Sequence, residues 1–189
     1  MKRHVRHTAV TAAFTAAFTA ALTAGLAFAS ASAQASVNYA SYLKCRHTQL
    51  TPFNGTLVEA AIATPELSTL VSLVKAAGLV DALSAPGQLT VFAPTNSAFG
   101  KVPAPLLDLI GGDTKLLTQV LTYHVTPETT DPRRNLIATQ APTLQGQTVY
   151  VGYDKDGPSV NQSTAACKGV KTSNGTVWVI DSVLLPQFK

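Results

Sequence analysis

The sequence predicts an α+β fold in one domain that follows a short export signal. Apolar residues at helical spacing occupy residues 56–124, and short apolar runs between turn residues occupy residues 143–185. Helices followed by such strands are typical of an α+β domain with an antiparallel sheet. The chain has 189 residues, of which 46% are hydrophobic and 13% charged. That composition excludes wholesale disorder and argues against a coiled coil.

Residues 1–35 have the pattern of a signal peptide. Lys2, Arg3 and Arg6 precede an apolar run over residues 9–29, and small residues at cleavage spacing follow up to residue 35. A transmembrane anchor is the alternative, but the run consists mostly of Ala and Thr, which gain little free energy in hydrocarbon. We therefore expect a secreted or periplasmic protein without a stable membrane anchor.

The basic character of the chain is concentrated in this signal. After residue 35 the sequence contains 11 basic and 10 acidic residues, so the body is nearly neutral. A nucleic-acid partner is therefore not expected.

Two cysteines follow the signal, Cys45 and Cys167. In an oxidising compartment one disulfide is the favoured interpretation, and two buried free thiols are the alternative. The disulfide would tie a polar lead-in, residues 36–53, to the domain at residues 54–189. Two cysteines are too few for a structural zinc site, and no metal is expected.

The helical half contains several start and stop signals. Thr56 can cap a helix over residues 56–63, and the helix that restarts at residues 64–65 ends at Gly78. A further turn covers residues 79–83, and another helix covers residues 103–110. Asp113 caps the next helix, on which His124 follows the apolar face.

Short strands are predicted where the pattern changes. A buried strand covers residues 89–93, and Thr95 or Asn96 caps the turn after it. Turn residues at Gly146, 156–157 and 174–175 separate the later runs. These later strands are predicted over residues 143–145, 148–153, 159–161, 176–180 and 182–185.

Enzyme signatures are mostly absent. The sequence has no nucleophile elbow, phosphate loop or zinc-protease motif. His124 could act as a base for Ser97 or Ser182 with Asp181 as the orienting group, but nothing in the sequence brings these residues together. A histidine on an apolar helical face is more often a hydrogen-bonded core residue, which is the favoured interpretation here.

Three blocks resemble the signatures of the fasciclin domain. They are TVFAPTNSAF at residues 90–99, LTYHV at residues 121–125 and TVWVIDSVLLP at residues 176–186. Their order and spacing resemble those of single-domain secreted bacterial members of the immunogenic-antigen type. That branch carries cysteines at the places of Cys45 and Cys167, so the resemblance supports the disulfide.

The resemblance implies a β-wedge or sandwich with helices on one side. It also implies a non-enzymatic adhesion role and no cofactor. The partner would be a cell-surface or matrix protein or glycan, bound by a monomer. The motif residues are expected to be mainly structural: Phe92, Pro94, Thr95, Asn96, Phe99, Tyr123, His124, Asp181 and Pro186.

Exposed loops are therefore the candidate binding surfaces. One is residues 129–135 with Arg133 and Arg134, and the other is the hairpin tip Asp154, Lys155 and Asp156. An ordinary solvated pair is the alternative for the arginines. Two other functions stay open at this point: a carrier of a small apolar ligand or lipid, and a hydrolase that uses His124.

Overall fold

The computed structural model describes residues 37–188, in which a five-stranded sheet lies between a layer of helices and a four-stranded sheet. The predicted signal peptide, residues 1–35, lies outside these residues. The helices are α1 (Tyr39–Arg46), α2 (Leu57–Ile62), α3 (Ser68–Ala76), α4 (Val80–Ser84), α5 (Asn96–Gly100), α6 (Ala104–Gly112) and α7 (Thr114–Tyr123). The strands are β1 (Thr51–Pro52), β2 (Leu89–Pro94), β3 (Val125–Thr126), β4 (Thr139–Pro142), β5 (Thr148–Tyr153), β6 (Pro158–Val160), β7 (Ser163–Thr164), β8 (Val170–Lys171) and β9 (Gly175–Ile180).

Helices α2, α5 and α7 each begin at a predicted capping side chain. Thr56 and Glu59 form a reciprocal capping box at the start of α2. Thr95 Oγ1 accepts the Ala98 N–H at 3.2 Å at the start of α5. Asp113 Oδ1 accepts the Lys115 N–H at 2.7 Å at the start of α7. These local signals satisfy backbone donors that the helix itself cannot pair, so the predicted starts are confirmed.

The five-stranded sheet has the order β1-β8-β9-β2-β3 and is mixed. Its central pair, β2 and β9, is parallel over six residues from Leu89↔Gly175 to Pro94↔Ile180, and β1 pairs with β8 in parallel. The four-stranded sheet, β4-β5-β6-β7, is antiparallel throughout. The α+β class is confirmed, and the expectation of antiparallel pairing is wrong for the central pair.

Two apolar cores fill the two interlayer spaces. One joins the helices to the five-stranded sheet and includes Leu70, Leu121 and Val177. The other lies between the two sheets and includes Phe92, Val149 and Trp178. This arrangement confirms a wedge with helices on one side. Both cores draw on β2 and β9, because successive side chains of a strand point to opposite faces.

Two predicted strands are wrong. Thr143, at the start of residues 143–145, closes a turn in which its N–H and hydroxyl both bond the Gln147 carbonyl. Residues 182–185 contain no strand, because the Leu184 N–H donates to the ring of His124 and not to a neighbouring strand.

The lead-in is more ordered than its polar composition predicted. It contains α1 and β1, and the structure joins Cys45 and Cys167 in the disulfide that the sequence predicted. Tyr42 packs edge-on against Tyr153 at 4.9 Å between ring centroids. α1 is therefore held by tertiary contacts and a covalent bond, more than by its own helical periodicity.

Candidate functional site

The first signature block builds a corner between strand and helices. Phe92, Pro94 and Phe99 are buried there. Asn96 caps a second helix: its Oδ1 accepts the Thr69 N–H at 2.9 Å, and its Nδ2 donates to the Pro65 carbonyl at 3.2 Å. The sequence had offered Thr95 or Asn96 as the cap of one turn, whereas each residue caps a different helix.

His124 is a buried residue with both ring nitrogens in use. Only 2% of it is exposed. Nδ1 lies 2.7 Å from the Val120 carbonyl oxygen, and Nε2 accepts the Leu184 N–H at 2.9 Å. Burial lowers the pKa of His124 from 6.5 to about 4, although the Val120 hydrogen bond opposes this shift. The imidazole is therefore neutral at physiological pH, with Nδ1 as the protonated nitrogen.

The groups proposed for a hydrolytic triad do not assemble on His124. Ser97 shares a hydrogen bond with Thr95 at 2.9 Å between hydroxyl oxygens. Ser182 donates to Asp181 Oδ1 at 3.1 Å. Since the histidine nitrogens bond backbone groups, this ring cannot take a proton from either serine. The hydrolase hypothesis has no geometric support among residues 37–188.

Asp181 directly follows β9 and connects it to two other parts of the chain. Its Oδ1 accepts the Thr164 N–H at 2.9 Å, and its Oδ2 forms a 3.2 Å ion pair with Lys101. Burial alone would raise the pKa of Asp181, but these hydrogen bonds outweigh it and lower that pKa below its usual value. Pro186, the last residue of the second signature, is buried.

The loop candidate at Arg133 needs correction. The Arg133 guanidinium, whose side chain is 7% exposed, forms two hydrogen bonds to Asp131, at 2.9 and 2.8 Å. It also lies 4.6 Å from the centroid of the Trp178 ring. The interpretation of the arginines as an exposed pair is wrong for Arg133 and holds for Arg134, whose side chain is 75% exposed.

The Arg133 head group also joins the lead-in to the domain. Its Nη1 donates to the carbonyl oxygens of Thr48 and Cys167. Burial by itself raises the pKa of Asp131, but the bonds and charge of Arg133 outweigh it and hold that pKa below its usual value. This arginine is a structural residue because its donors are directed into the protein.

The hairpin tip between β5 and β6 is exposed, as predicted. Lys155 forms an ion pair with Asp156, and the Asp156 N–H donates to Asp154 Oδ1 at 2.9 Å. The charges of the tip are therefore largely engaged with one another. Among the described residues, no group of three or more metal-ligating side chains lies together.

Asn174, which the sequence placed in a turn, is a buried polar residue at the centre of the fold. It is 3% exposed, and its Oδ1 accepts the Leu57 N–H at 2.9 Å. Its Nδ2 donates to the carbonyls of Leu83 and Ala85, both at 2.9 Å. The turn prediction holds, and the same side chain connects β9 to α2 and α4.

A groove of about 860 Å³ opens beside the four-stranded sheet. We call it the amide groove because four carboxamide side chains line it together with Tyr150 and Leu185, which are both exposed. The four are Gln147, Asn161, Gln162 and Gln187. The sequence does not reveal this groove, because its walls come from β5, the β6–β7 turn and the segment after β9. One signal was present: Tyr150 stands at an outward position of β5 between buried Val149 and Val151.

Two smaller apolar cavities flank His124 and bear on the carrier hypothesis. They measure about 40 and 30 Å³. Sites for small organic ligands usually occupy roughly 300–1,000 Å³, so neither cavity holds an apolar ligand in this conformation.

In the part of the chain that the structure describes, no helix is long and apolar enough to span a membrane.

Comparison with known proteins identifies the family. A model of the Fasciclin domain matches residues 65–186. Immunogenic protein MPB70 of Mycobacterium bovis is 44% identical over 132 residues, which cover 67% of each chain. Cell surface glycolipoprotein MPT83 of Mycobacterium tuberculosis is 44% identical over 132 residues, 67% of this chain and 59% of its own length.

One further sequence and one solved structure are also similar to the chain. Protein sll1483 of Synechocystis is 40% identical over 133 residues, 69% of this chain and 73% of its own length. A solved FAS1 domain pair from the insect cell adhesion molecule fasciclin I matches 63% of this chain and 45% of that chain. Its TM-score is 0.45 and its identity 19%. On the family match and these identities, the chain belongs to the Fasciclin domain family.

Proposed function

We propose that this protein is exported and acts as a non-enzymatic adhesion module that binds a cell-surface or matrix partner. The amide groove is the observation that carries the proposal, because it is a large concave surface with exposed side chains outside the two cores. Membership of the Fasciclin family, and a similar protein named as a cell surface glycolipoprotein, support the same location and role.

The signature residues have structural roles, so the amide groove is the surface proposed to bind the partner. The polar groups of Asn96 and His124 are already bonded to backbone groups of the fold. A disulfide between Cys45 and Cys167 suits an oxidising compartment. The loop residue Arg134 and the tip residue Lys155 remain secondary candidates for partner contact, since both are exposed.

The test uses the full chain expressed in an exporting bacterial host and purified from the periplasm or medium. Intact mass is expected to show removal of the signal segment without a lipid adduct. The oxidised protein is expected to bind whole cells or immobilised matrix components saturably, and a reduced and alkylated sample is expected to lose that binding. A folded, oxidised protein that binds neither kind of surface would refute the adhesion function.

A further inference from the structure

We propose that the amide groove binds a neutral glycan. This inference rests on the proposed adhesion function and specifies the chemistry of the partner. Three properties of the groove support a neutral glycan: a fixed aromatic surface, unpaired amides and a lining without charged side chains among residues 37–188.

The aromatic surface is the ring of Tyr150, which is 51% exposed. Its backbone N–H donates to Asn161 Oδ1 at 2.9 Å, and its carbonyl accepts the Asn161 N–H at 2.7 Å. Its hydroxyl accepts from Gln140 Nε2 at 3.3 Å, on the residue directly opposite in β4. The ring is held at both ends, so little side-chain entropy is lost when the C–H face of a sugar packs on it.

Two amides hold the groove together. Asn161 Nδ2 donates to the Tyr123 hydroxyl at 3.1 Å, which connects the groove to the end of α7. Gln147 exchanges two hydrogen bonds with the backbone of Gln187, at 2.7 and 2.9 Å. The final segment of the chain is thereby fixed as one wall, and the groove is formed before any ligand arrives.

Two further amides face outward. The side chains of Gln162 and Gln187 are exposed and have no hydrogen-bond partner among residues 37–188. Each carboxamide offers two donors and one acceptor oxygen. Sugar hydroxyls both donate and accept, so neighbouring hydroxyls on the edge of one ring can pair with such a group.

Charge and size narrow the class of partner. Among residues 37–188 no charged side chain lines the groove, so these residues offer no cation there to a phosphate, sulfate or carboxylate. The lining is rich in amides and hydroxyls, unlike the apolar centre of a protein interface or a lipid site. A volume of about 860 Å³ lies within the range of small-ligand clefts, which is large enough for a short oligosaccharide.

The first experiment is saturation-transfer NMR on the exported full chain. The probes are neutral trisaccharides of glucose, mannose, galactose and N-acetylglucosamine, and a sulfated heparin oligosaccharide is the charged control. We expect one neutral probe to bind with Kd on the order of 1 mM and the heparin oligosaccharide not to bind. Binding of heparin alone, lost on adding salt, would overturn the inference.

Variants locate the binding. Tyr150→Ala and Gln162→Ala are expected to weaken it about tenfold, whereas Tyr150→Phe keeps the ring and retains binding. Tyr39→Ala is the matched control, because Tyr39 is a tyrosine on α1 that is 61% exposed and does not line the groove. Trp178 fluorescence verifies that each variant is folded. Equal loss in Tyr39→Ala and Tyr150→Ala would refute the placement of the site.

A second experiment separates the inference from the proposed function. Cell surfaces are treated either with periodate, which cleaves sugar diols, or with protease. Binding that is lost after periodate and in Tyr150→Ala supports a glycan partner. Binding that survives periodate but not protease overturns the glycan and leaves the adhesion function intact. If the protein does not bind untreated cells, the adhesion function is refuted. The trisaccharide experiment alone then decides whether the amide groove binds a neutral glycan.

Discussion

Replacement of Asn174 by alanine is expected to be among the most destabilising single changes in this domain. The side chain bonds a helix start, the Leu57 N–H, and the carbonyls of Leu83 and Ala85 near the end of α4. Alanine leaves all three backbone groups without that partner, and the bonds to Leu57 and Leu83 are buried. Within residues 37–188, no other side chain forms a hydrogen bond to these three groups.

The magnitude follows from those bonds. A buried backbone group left unsatisfied costs about 1–3 kcal/mol, whereas the carbonyl of the exposed Ala85 can be rehydrated at lower cost. Two buried groups give a loss of about 2–6 kcal/mol in the free energy of unfolding. That loss is a large part of the roughly 5–15 kcal/mol that stabilises a domain.

The assay is urea unfolding of the oxidised protein, followed by the fluorescence of Trp178, which lies in the core between the sheets. Asn135→Ala is the matched control, because the Asn135 side chain makes one exposed hydrogen bond, to Thr139 at 3.1 Å. We expect the control to change stability by less than about 0.5 kcal/mol. A loss below about 1 kcal/mol in Asn174→Ala, with an unchanged denaturant slope, would refute the reasoning.

Three other predictions follow from buried groups. The folded pKa of His124, about 4, lies below its ordinary value of 6.5. The stability that the neutral side chain contributes is therefore complete above pH 6.5 and falls by about 3 kcal/mol in total as the pH drops toward 4. Urea unfolding across this pH range measures the loss. Arg133→Met is expected to cost about 2–3 kcal/mol, because it removes both charged hydrogen bonds to the Asp131 carboxylate and leaves that group only the exposed Arg134, 3.7 Å away. Arg134→Met is expected to change stability by less than about 0.5 kcal/mol in the same assay, and equal effects would contradict the structural role of Arg133. Reduction of the Cys45–Cys167 bond, which spans 122 residues, is expected to lower stability by about 2–5 kcal/mol, measured against a Cys45→Ser/Cys167→Ser variant that should not respond to reductant.

Local features of the fold could be predicted from the sequence. The caps at Thr56, Thr95 and Asp113 depend on bonds that span three residues or fewer, so the sequence pattern contains them. The strand over residues 148–153 could be predicted for a similar reason, since its buried and exposed residues begin in alternation. The direction of β9 relative to β2 depends on the path of the intervening chain, which no local pattern specifies.

The amide groove could not be predicted either, because it also depends on the path of the chain between distant residues. Tyr150, Asn161 and Gln187 lie far apart in the sequence, and amide side chains have no characteristic spacing that marks a site. Arg133 was predicted to be an exposed binding residue but is buried. Its position in a polar loop does not indicate the carboxylate and the indole ring that surround it. Long-range packing determines both the shape of the amide groove and the burial of Arg133.

The parallel pairing of β2 with β9 also constrains the order in which the chain can fold. A protein that is synthesised or translocated with its N-terminus first presents β2 long before Gly175–Ile180 becomes available. Until then one hydrogen-bonding edge of β2 stays open, and Phe92 lacks Trp178 and Ile180 from its core. Assembly of the domain therefore waits until β9 is available and depends on distant contacts, which favours slow folding. A chain truncated before residue 175 would lose the centre of the sheet and become a substrate for proteolysis.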